Sequence, residues 1–211
     1  EHLYQVTLTH WDPAMRRLAS QSLNKLTPLN PQCMVDEVIP YLLEKCLDEK
    51  SVLNRHGATL GLAEIVLAFG EIDTRDKYLS EELNNSIAEI IPVIEKKRLY
   101  SGRGGQQIKA AACRLIECLS IANIPMTVRQ YVRLLDSIDA CLSHPDEPIQ
   151  TQAGAALFAL LRSYFPVSSN GPSARLQARV VDKYTKTAST SINPAATRGF
   201  SLALGCLPRK I

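Results

Sequence analysis

The sequence predicts an all-α fold, an α-solenoid of HEAT- or armadillo-like helical hairpins. Two observations support this fold class. First, the apolar segments have helical periodicity, and no alternation typical of a strand runs for a useful length. Second, one pattern recurs along the chain, and we expect it on the first helix of each hairpin: a polar residue, a small residue three positions later and an apolar residue four positions after that. Its copies are Arg16/Ala19/Leu23, Arg55/Ala58/Leu62, Lys109/Ala112/Ile116 and Gln150/Ala153/Leu157, with a looser copy starting at Arg198.

The spacing of these copies matches a known class of repeat. Successive small residues are 39, 54 and 41 positions apart, and the looser copy follows after 48. These values bracket the period of about 40–47 residues in HEAT and armadillo arrays. We expect the small residue to let two helices of a hairpin approach and the apolar residue to fill the seam between hairpins. Residues 1–211 would then form one domain of about four to five hairpins.

Capping signals predict where the first helices begin. Asp12-Pro13 and Asn30-Pro31 each place an N-cap residue before a proline at the first helical position. The helices they open are expected to reach about Thr27 and about Asp48. Pro40 lies inside the second helix and predicts a kink, because it removes a backbone hydrogen bond.

The later helices follow from similar signals. Ser51 to Phe69 is predicted to be a long helix ended by Gly70, and residues 71–79 a polar loop. Another helix is expected from Ser80, and one follows residues 98–106. The remaining predicted segments are a helix from the Thr127–Gln130 capping box to about Leu142, a helix from Ile149 to Phe165, a loop at residues 168–172, a helix to about Ala188 and a last helix from Asn193-Pro194 to Leu207.

Composition and charge exclude several functions. The 24 basic and 21 acidic residues give a net charge of +3, which does not indicate nucleic-acid binding. No apolar run is long enough for a membrane span. The six cysteines lie in apolar helical patterns without metal-ligand spacing, which is typical of free thiols in a reducing, cytoplasmic setting. The four histidines share no ligand spacing, and no nucleophile motif occurs. We expect a protein that is not an enzyme and holds no cofactor or metal.

Residues 98–106, which we call the corner, are the least repeat-like segment. Three glycines, Gly102, Gly104 and Gly105, predict a shaped turn, and Gly57 in the earlier helix predicts close helix packing. The corner lacks the frame of a phosphate loop and follows a helix instead of a strand. A single Arg-Gly-Gly is also a weak RNA motif. Two interpretations remain: a simple hairpin turn, or a protein-binding corner, for which the candidate contact residues are Arg98, Tyr100, Arg103 and Gln106.

Several segments, in order along the chain, resemble the C-terminal region of the tubulin-folding cofactor D family. The similar segments are Trp11–Ala19, Arg55-His-Gly57, Arg98-Leu-Tyr100, Gly102-x-Gly104-Gly105-Gln106, Cys113–Ser120 and Gly199–Gly205. Residues 71–97 and 165–192 resemble it weakly. The resemblance implies a C-terminal HEAT-repeat domain. Because the sequence begins at Glu1 without methionine, we expect a fragment of a larger chain.

The resemblance also implies a function and partners. Members of the family are chaperones that capture β-tubulin and take part in assembly and disassembly of the α/β-tubulin heterodimer with cofactors E and C. They associate with a small Arf-like GTPase and act in the cytoplasm and at the cytoskeleton. The resemblance further implies a part in stimulating GTP hydrolysis by tubulin.

Two other functions are weighed beside a tubulin-binding module. In the first, the chain is a GTPase-activating element that supplies Arg103 or Arg98 to a GTP site on a partner, like an arginine finger. In the second, it is a HEAT scaffold or adaptor unrelated to tubulin.

Overall fold

The structure, a computed structural model, describes residues 1–165 and 172–207. Helices of eight or more residues are numbered α1 to α9 in chain order. They are α1 (Pro13–Leu26), α2 (Ile39–Cys46), α3 (Val52–Phe69), α4 (Glu81–Lys96), α5 (Gly105–Ile121), α6 (Val128–Leu142), α7 (Glu147–Tyr164), α8 (Pro172–Thr190) and α9 (Pro194–Gly205). The described ranges contain no strand, so the predicted all-α class is confirmed. The predicted loop at 168–172 lies outside them except for Pro172, where α8 begins.

The helices form two layers, as expected of a helical-repeat solenoid. The odd-numbered helices pack on one another in sequence from α1 to α9, and α2, α4 and α6 do the same in the second layer. One continuous apolar core lies between the layers and extends from Tyr4 to Ala203. Each of α2, α6 and α8 packs on the odd helix that follows it. The helix with the recurring pattern is therefore the second of each packed pair, whereas the sequence analysis takes it as the first.

The predicted helix starts at Asp12, Ser51 and Thr127 are confirmed. The Asp12 carboxylate accepts a hydrogen bond from the backbone N–H of Ala14, at 2.8 Å. The Ser51 hydroxyl accepts from the N–H of Asn54. Thr127 and Gln130 form both halves of the capping box. Local side-chain acceptors thus satisfy backbone donors that the first helical turn leaves unpaired.

One local prediction is corrected. Residues 71–79 are not only loop, because Arg75–Tyr78 form a helical turn. The helix that contains Pro40 has a π-helical stretch, Met34–Val38, which ends shortly before the proline and widens the turn preceding its ring. The predicted end of α3 at Gly70 is confirmed, and this glycine has φ −62°, outside the left-handed region. A Cβ there would lie 2.6 Å from the Cα of Ala122, so this glycine permits close approach to the end of α5.

Within residues 1–165 and 172–207, none of the helices combines the length and apolar character needed to cross a bilayer. All six cysteines are free. Four of them are buried, at positions 46, 113, 118 and 141, whereas Cys33 and Cys206 are half-buried near the two ends of the solenoid. Burial raises the pKa of the Cys46 thiol to about 12.

Two glycines allow odd helices to rest directly on backbone carbonyl groups. A Cβ at Gly57 in α3 would lie 1.7 Å from the carbonyl oxygen of Leu8, and a Cβ at Gly199 in α9 would lie 1.8 Å from that of Leu142. No side chain larger than hydrogen fits at such distances, so these contacts fix how closely each odd helix approaches the segment before it.

We expect Gly57→Ala to lower the free energy of unfolding by about 1–3 kcal/mol, because the new methyl group forces α3 away from Leu8. Gly205→Ala in α9 is the matched control, since no described atom lies within 4 Å of a Cβ at that position. Alanine also has the higher helix propensity, so the control variant should lose nothing. Urea denaturation measures both. A Gly57→Ala variant as stable as the wild type would contradict the constraint.

Candidate protein-interaction site

The corner begins with a helix end that reverses the chain at Arg98. This residue has φ 54°, in the left-handed region. Its N–H donates to the carbonyl of Glu95 at 2.9 Å, and the N–H of Leu99 donates to that of Ile94 at 3.0 Å. These two bonds form a Schellman cap, which most often has glycine at the left-handed position. An L-residue there costs about 1–2 kcal/mol, so the corner contains strain at an arginine.

The three glycines fold the rest of the corner against itself and against α3. Gly102 and Gly104 have φ 89° and 88°, and Gly104 is the N-cap residue of α5. A Cβ at Gly104 would lie 2.7 Å from the Cγ1 of Val52. A Cβ at Gly105 would lie 1.8 Å from the carbonyl oxygen of Tyr100. The corner is therefore a compact turn seated on the start of α3.

The corner side chains divide into an inner and an outer group. Tyr100 is half-buried and packs against the core, and burial raises the pKa of its hydroxyl well above 10. The sequence analysis names Tyr100 as a candidate contact residue for a partner, which requires its side chain to be exposed. The structure corrects that position, because the Schellman cap directs buried Leu99 and then Tyr100 onto the core. Arg98, Arg103 and Gln106 are exposed, and their role in partner binding stays a prediction.

Next to the corner, the side chain of Arg16 is completely buried. Its Nε donates to the Nδ1 of His56 at 2.8 Å, and its Nη2 donates to the Oε1 of Gln107 at 2.8 Å. Its Nη1 donates to the carbonyl oxygens of His10 and Trp11. The guanidinium thus connects the start of α1 to α3 and to α5. Burial lowers the pKa of Arg16, and the Asp12 carboxylate opposes that shift.

His56 is held in one protonation state by this contact. It accepts a hydrogen bond through Nδ1, so the proton of the neutral ring is on Nε2. Burial, with smaller contributions from the charges of Arg16 and Arg17, lowers the pKa of His56 to about 3. The hydrogen bond to Arg16 joins residues 40 positions apart and is not visible in the local sequence.

The polar residue of the recurring pattern has a structural role in four of its copies. In three of them its side chain donates hydrogen bonds to carbonyl groups of the segment just before its own helix, which would otherwise be unpaired. The donors and their acceptors are Arg16 with His10 and Trp11, Arg55 with Asp48, and Gln150 with Leu142 and His144. In the fourth copy, Arg198 donates instead to the carbonyl of Pro145, in the segment before α7. Arg198 also donates to the Oε1 of Gln150, which joins α9 to α7.

Helices α3, α5 and α7 are joined by a network of polar side chains that lies beside a groove. Arg114 of α5 forms ion pairs with Glu64 of α3 at 2.8 Å and with Glu117 at 2.9 Å. Gln152 of α7 donates to Glu117 at 2.8 Å. A cavity of about 410 Å³ lies beside this network, with Arg17 and His56 on its wall. The network fixes three neighbouring helices in one arrangement and leaves a mixed polar and apolar surface above them.

Residues 1–165 and 172–207 contain no group of three His, Cys, Asp or Glu side chains placed to hold a metal ion. The arrangement described, an exposed basic turn beside a grooved helical face, can bind a protein surface through hydrogen bonds and apolar contact.

The fold defines a helical-repeat protein, a class whose members present extended surfaces formed by many helices. The sequence is similar to tubulin-specific chaperone D of Dictyostelium discoideum, with 24% identity over 276 aligned positions that include 99% of this chain. This similarity supports a distant relationship. The chain spans 18% of the length of that protein. No protein-family model matches the chain, and no solved structure matches it.

We expect His56→Gln to remove an acid-sensitive part of the stability. The folded protein holds neutral His56 down to about pH 3, whereas an unfolded histidine binds a proton near pH 6.5. The unfolded state therefore binds more protons between pH 6.5 and 3. Stability contributed by neutral His56 is complete above pH 6.5 and is lost, at up to about 1.4 kcal/mol per pH unit, as the pH falls through that window.

The measurement is the free energy of unfolding of wild type and His56→Gln at several pH values between 7 and 4. As the pH falls, the free energy of unfolding should decrease more steeply in wild type than in His56→Gln. His2→Gln, at an exposed histidine, is the control and should follow the wild type. Parallel curves for wild type and His56→Gln would contradict the predicted pKa shift.

Proposed function

We propose that this chain is a protein-binding module of a tubulin-folding chaperone and that it binds tubulin directly. The observation that carries the proposal is the similarity to tubulin-specific chaperone D along almost the whole chain. The fold agrees with it, because helical-repeat arrays act through extended surfaces formed by many helices. The proposed module is a C-terminal domain of a longer chain and acts in the cytoplasm.

The proposed partners are β-tubulin and the α/β-tubulin heterodimer, together with cofactors E and C and a small Arf-like GTPase. The outer side of the corner is the proposed contact for one of these proteins. Arg98, Arg103 and Gln106 are exposed on a turn whose backbone is fixed by glycines and a Schellman cap. A fixed turn loses little conformational entropy on binding, which favours affinity. Arginine is also enriched among residues that dominate binding energy.

We expect the triple variant Arg98→Gly/Arg103→Ala/Gln106→Ala to bind tubulin at least about 30-fold more weakly than wild type, the effect of losing about 2 kcal/mol. Glycine is chosen at position 98 because it adopts the left-handed conformation without strain. Arg129→Ala, at an exposed arginine in the first turn of α6, is the control and should bind like the wild type.

The measurement is the dissociation constant for soluble tubulin by sedimentation or light scattering, with circular dichroism to verify that each variant is folded. If wild type does not bind tubulin, the direct-binding proposal fails. If the triple variant binds as tightly as wild type, tubulin binding uses another surface and the corner is only a turn.

A second candidate function is a contribution to GTP hydrolysis by a partner. Arg103 is exposed between two left-handed glycines, and no described carboxylate forms a salt bridge with it or with Arg98. Such an arginine can reach a GTP site on a bound protein and stabilise the charge of the transition state.

If Arg103 acts in this way, Arg103→Ala should lower the GTP hydrolysis rate of a mixture of tubulin, cofactors and the whole chaperone by at least about tenfold. Binding affinity should change little, because the arginine stabilises only the transition state. Arg103→Lys keeps the charge but not the planar donor group, so it should remain slow. An unchanged rate in Arg103→Ala would exclude this role.

A further inference from the structure

A pocket of about 470 Å³, which we call the α4–α6 pocket, lies between the starts of α4 and α6 in the second layer of the solenoid. In that layer α4 packs on α2 on one side and on α6 on the other. The pocket is therefore inside the described array and not at either of its ends, where a neighbouring helical unit would pack.

One polar atom in the wall of the α4–α6 pocket has no partner. Asn84 is 7% exposed, and its Oδ1 is buried without a hydrogen-bond donor among the described residues. Its Nδ2 donates to the carbonyl oxygen of Leu79 at 3.4 Å. This bond fixes the orientation of the amide, because a reversed amide would bring two oxygen atoms together. A buried acceptor without a donor costs free energy, so a ligand that brings a donor to it gains affinity.

A second amide oxygen in the wall has capacity for another bond. The Oδ1 of Asn85 accepts one hydrogen bond, from the Nε2 of Gln130 at 3.3 Å. A carbonyl oxygen has two lone pairs and can accept a further donor. The same Gln130 caps α6 through its Oε1, which accepts from the backbone N–H of Thr127. The two acceptors of the pocket are thus held on helices that a side-chain hydrogen bond joins.

The charge of the pocket wall is negative. Its ionisable side chains are those of Asp76 and Glu81, and no described lysine, arginine or histidine forms part of the wall. Asp76 has an ion pair with the Nε of Arg75 at 3.4 Å, but its side chain is 88% exposed and open to another cation. The two Nη atoms of Arg75 donate to the carbonyl oxygens of Ala122 and Asn123. The two carboxylates therefore leave a negative charge even when Arg75 is counted.

The remaining wall of the pocket is apolar and includes Leu79, Pro125 and Met126. A ligand that fits it has an apolar stem and a cationic end with several donors. The arginine side chain has both, because its methylene groups pack on apolar surface while its head stays charged. Its planar group carries five N–H donors, so it can bind an amide oxygen and a carboxylate together, whereas lysine presents a compact point charge.

We propose that the α4–α6 pocket binds the side chain of an exposed arginine of a partner protein. The guanidinium donates to the Oδ1 of Asn84 and to the carboxylates of Asp76 and Glu81, and the stem lies against Met126. The pocket is at the start of α4, whereas the corner follows the end of the same helix. The inference therefore does not depend on the corner binding tubulin.

The test uses two small probes and NMR of the isotope-labelled chain. The first probe is N-acetyl-arginine amide, and the second is N-acetyl-citrulline amide, which has nearly the same shape without the charge. We expect the arginine probe to shift the side-chain amide signals of Asn84 and Asn85 saturably, with a dissociation constant of about 1 mM, typical of a ligand of this size. The citrulline probe should bind at least about tenfold more weakly, because its hydrogen bonds are not charge-assisted.

Variants then locate the binding. Asp76→Asn/Glu81→Gln should weaken binding of the arginine probe at least about tenfold, and Asn84→Leu should also weaken it. Asp73→Asn/Glu82→Gln is the matched control, because it removes the same charge from exposed residues outside the pocket wall and should bind like the wild type. No saturable binding, equal binding of the two probes, equal losses in the two double variants or unchanged affinity in Asn84→Leu would each overturn the proposal.

Discussion

The buried guanidinium of Arg16 is the contact on which the start of the solenoid depends. A charge without exposed surface is costly, and the structure offsets the cost with four neutral acceptors from three parts of the chain. Two of the acceptors, His56 and Gln107, belong to α3 and α5. Loss of the arginine would leave an unpaired ring nitrogen inside the protein, so this position affects more than its own helix.

The hydrogen bond from Arg16 to Gln107 also helps to hold the corner in position. Gln107 lies two residues after Gly105, whose backbone rests against Tyr100, and Gly104 rests against Val52 at the start of α3. The exposed side chains of the corner are therefore held by contacts that reach back to α1. Gly57 and Gly105 both lie against carbonyl groups that exclude any side chain, so these two positions tolerate little substitution.

The sequence predicts the structural features that depend on residues close together in the chain. Helix starts at Asp12, Ser51 and Thr127 depend on residues three positions apart or fewer, and the two-layer arrangement follows from the recurring pattern. The sequence does not predict the inward position of Tyr100, because the left-handed backbone of Arg98 turns the chain and arginine gives no sign of that conformation. The partners of Arg16 were also missed, because they lie 40 and 91 positions away. Contacts at such separations are decided by the packing of whole helices.

The positions of the cysteines allow a distance to be measured along the solenoid. Cys33 and Cys206 are half-buried near opposite ends, and the other four thiols are buried between the layers. A maleimide reagent under native conditions reacts preferentially with thiols that solvent reaches. Two spectroscopic labels can therefore be attached to the unaltered sequence, one at each end. The distance between them reports how far the stack bends or extends when another protein binds to it.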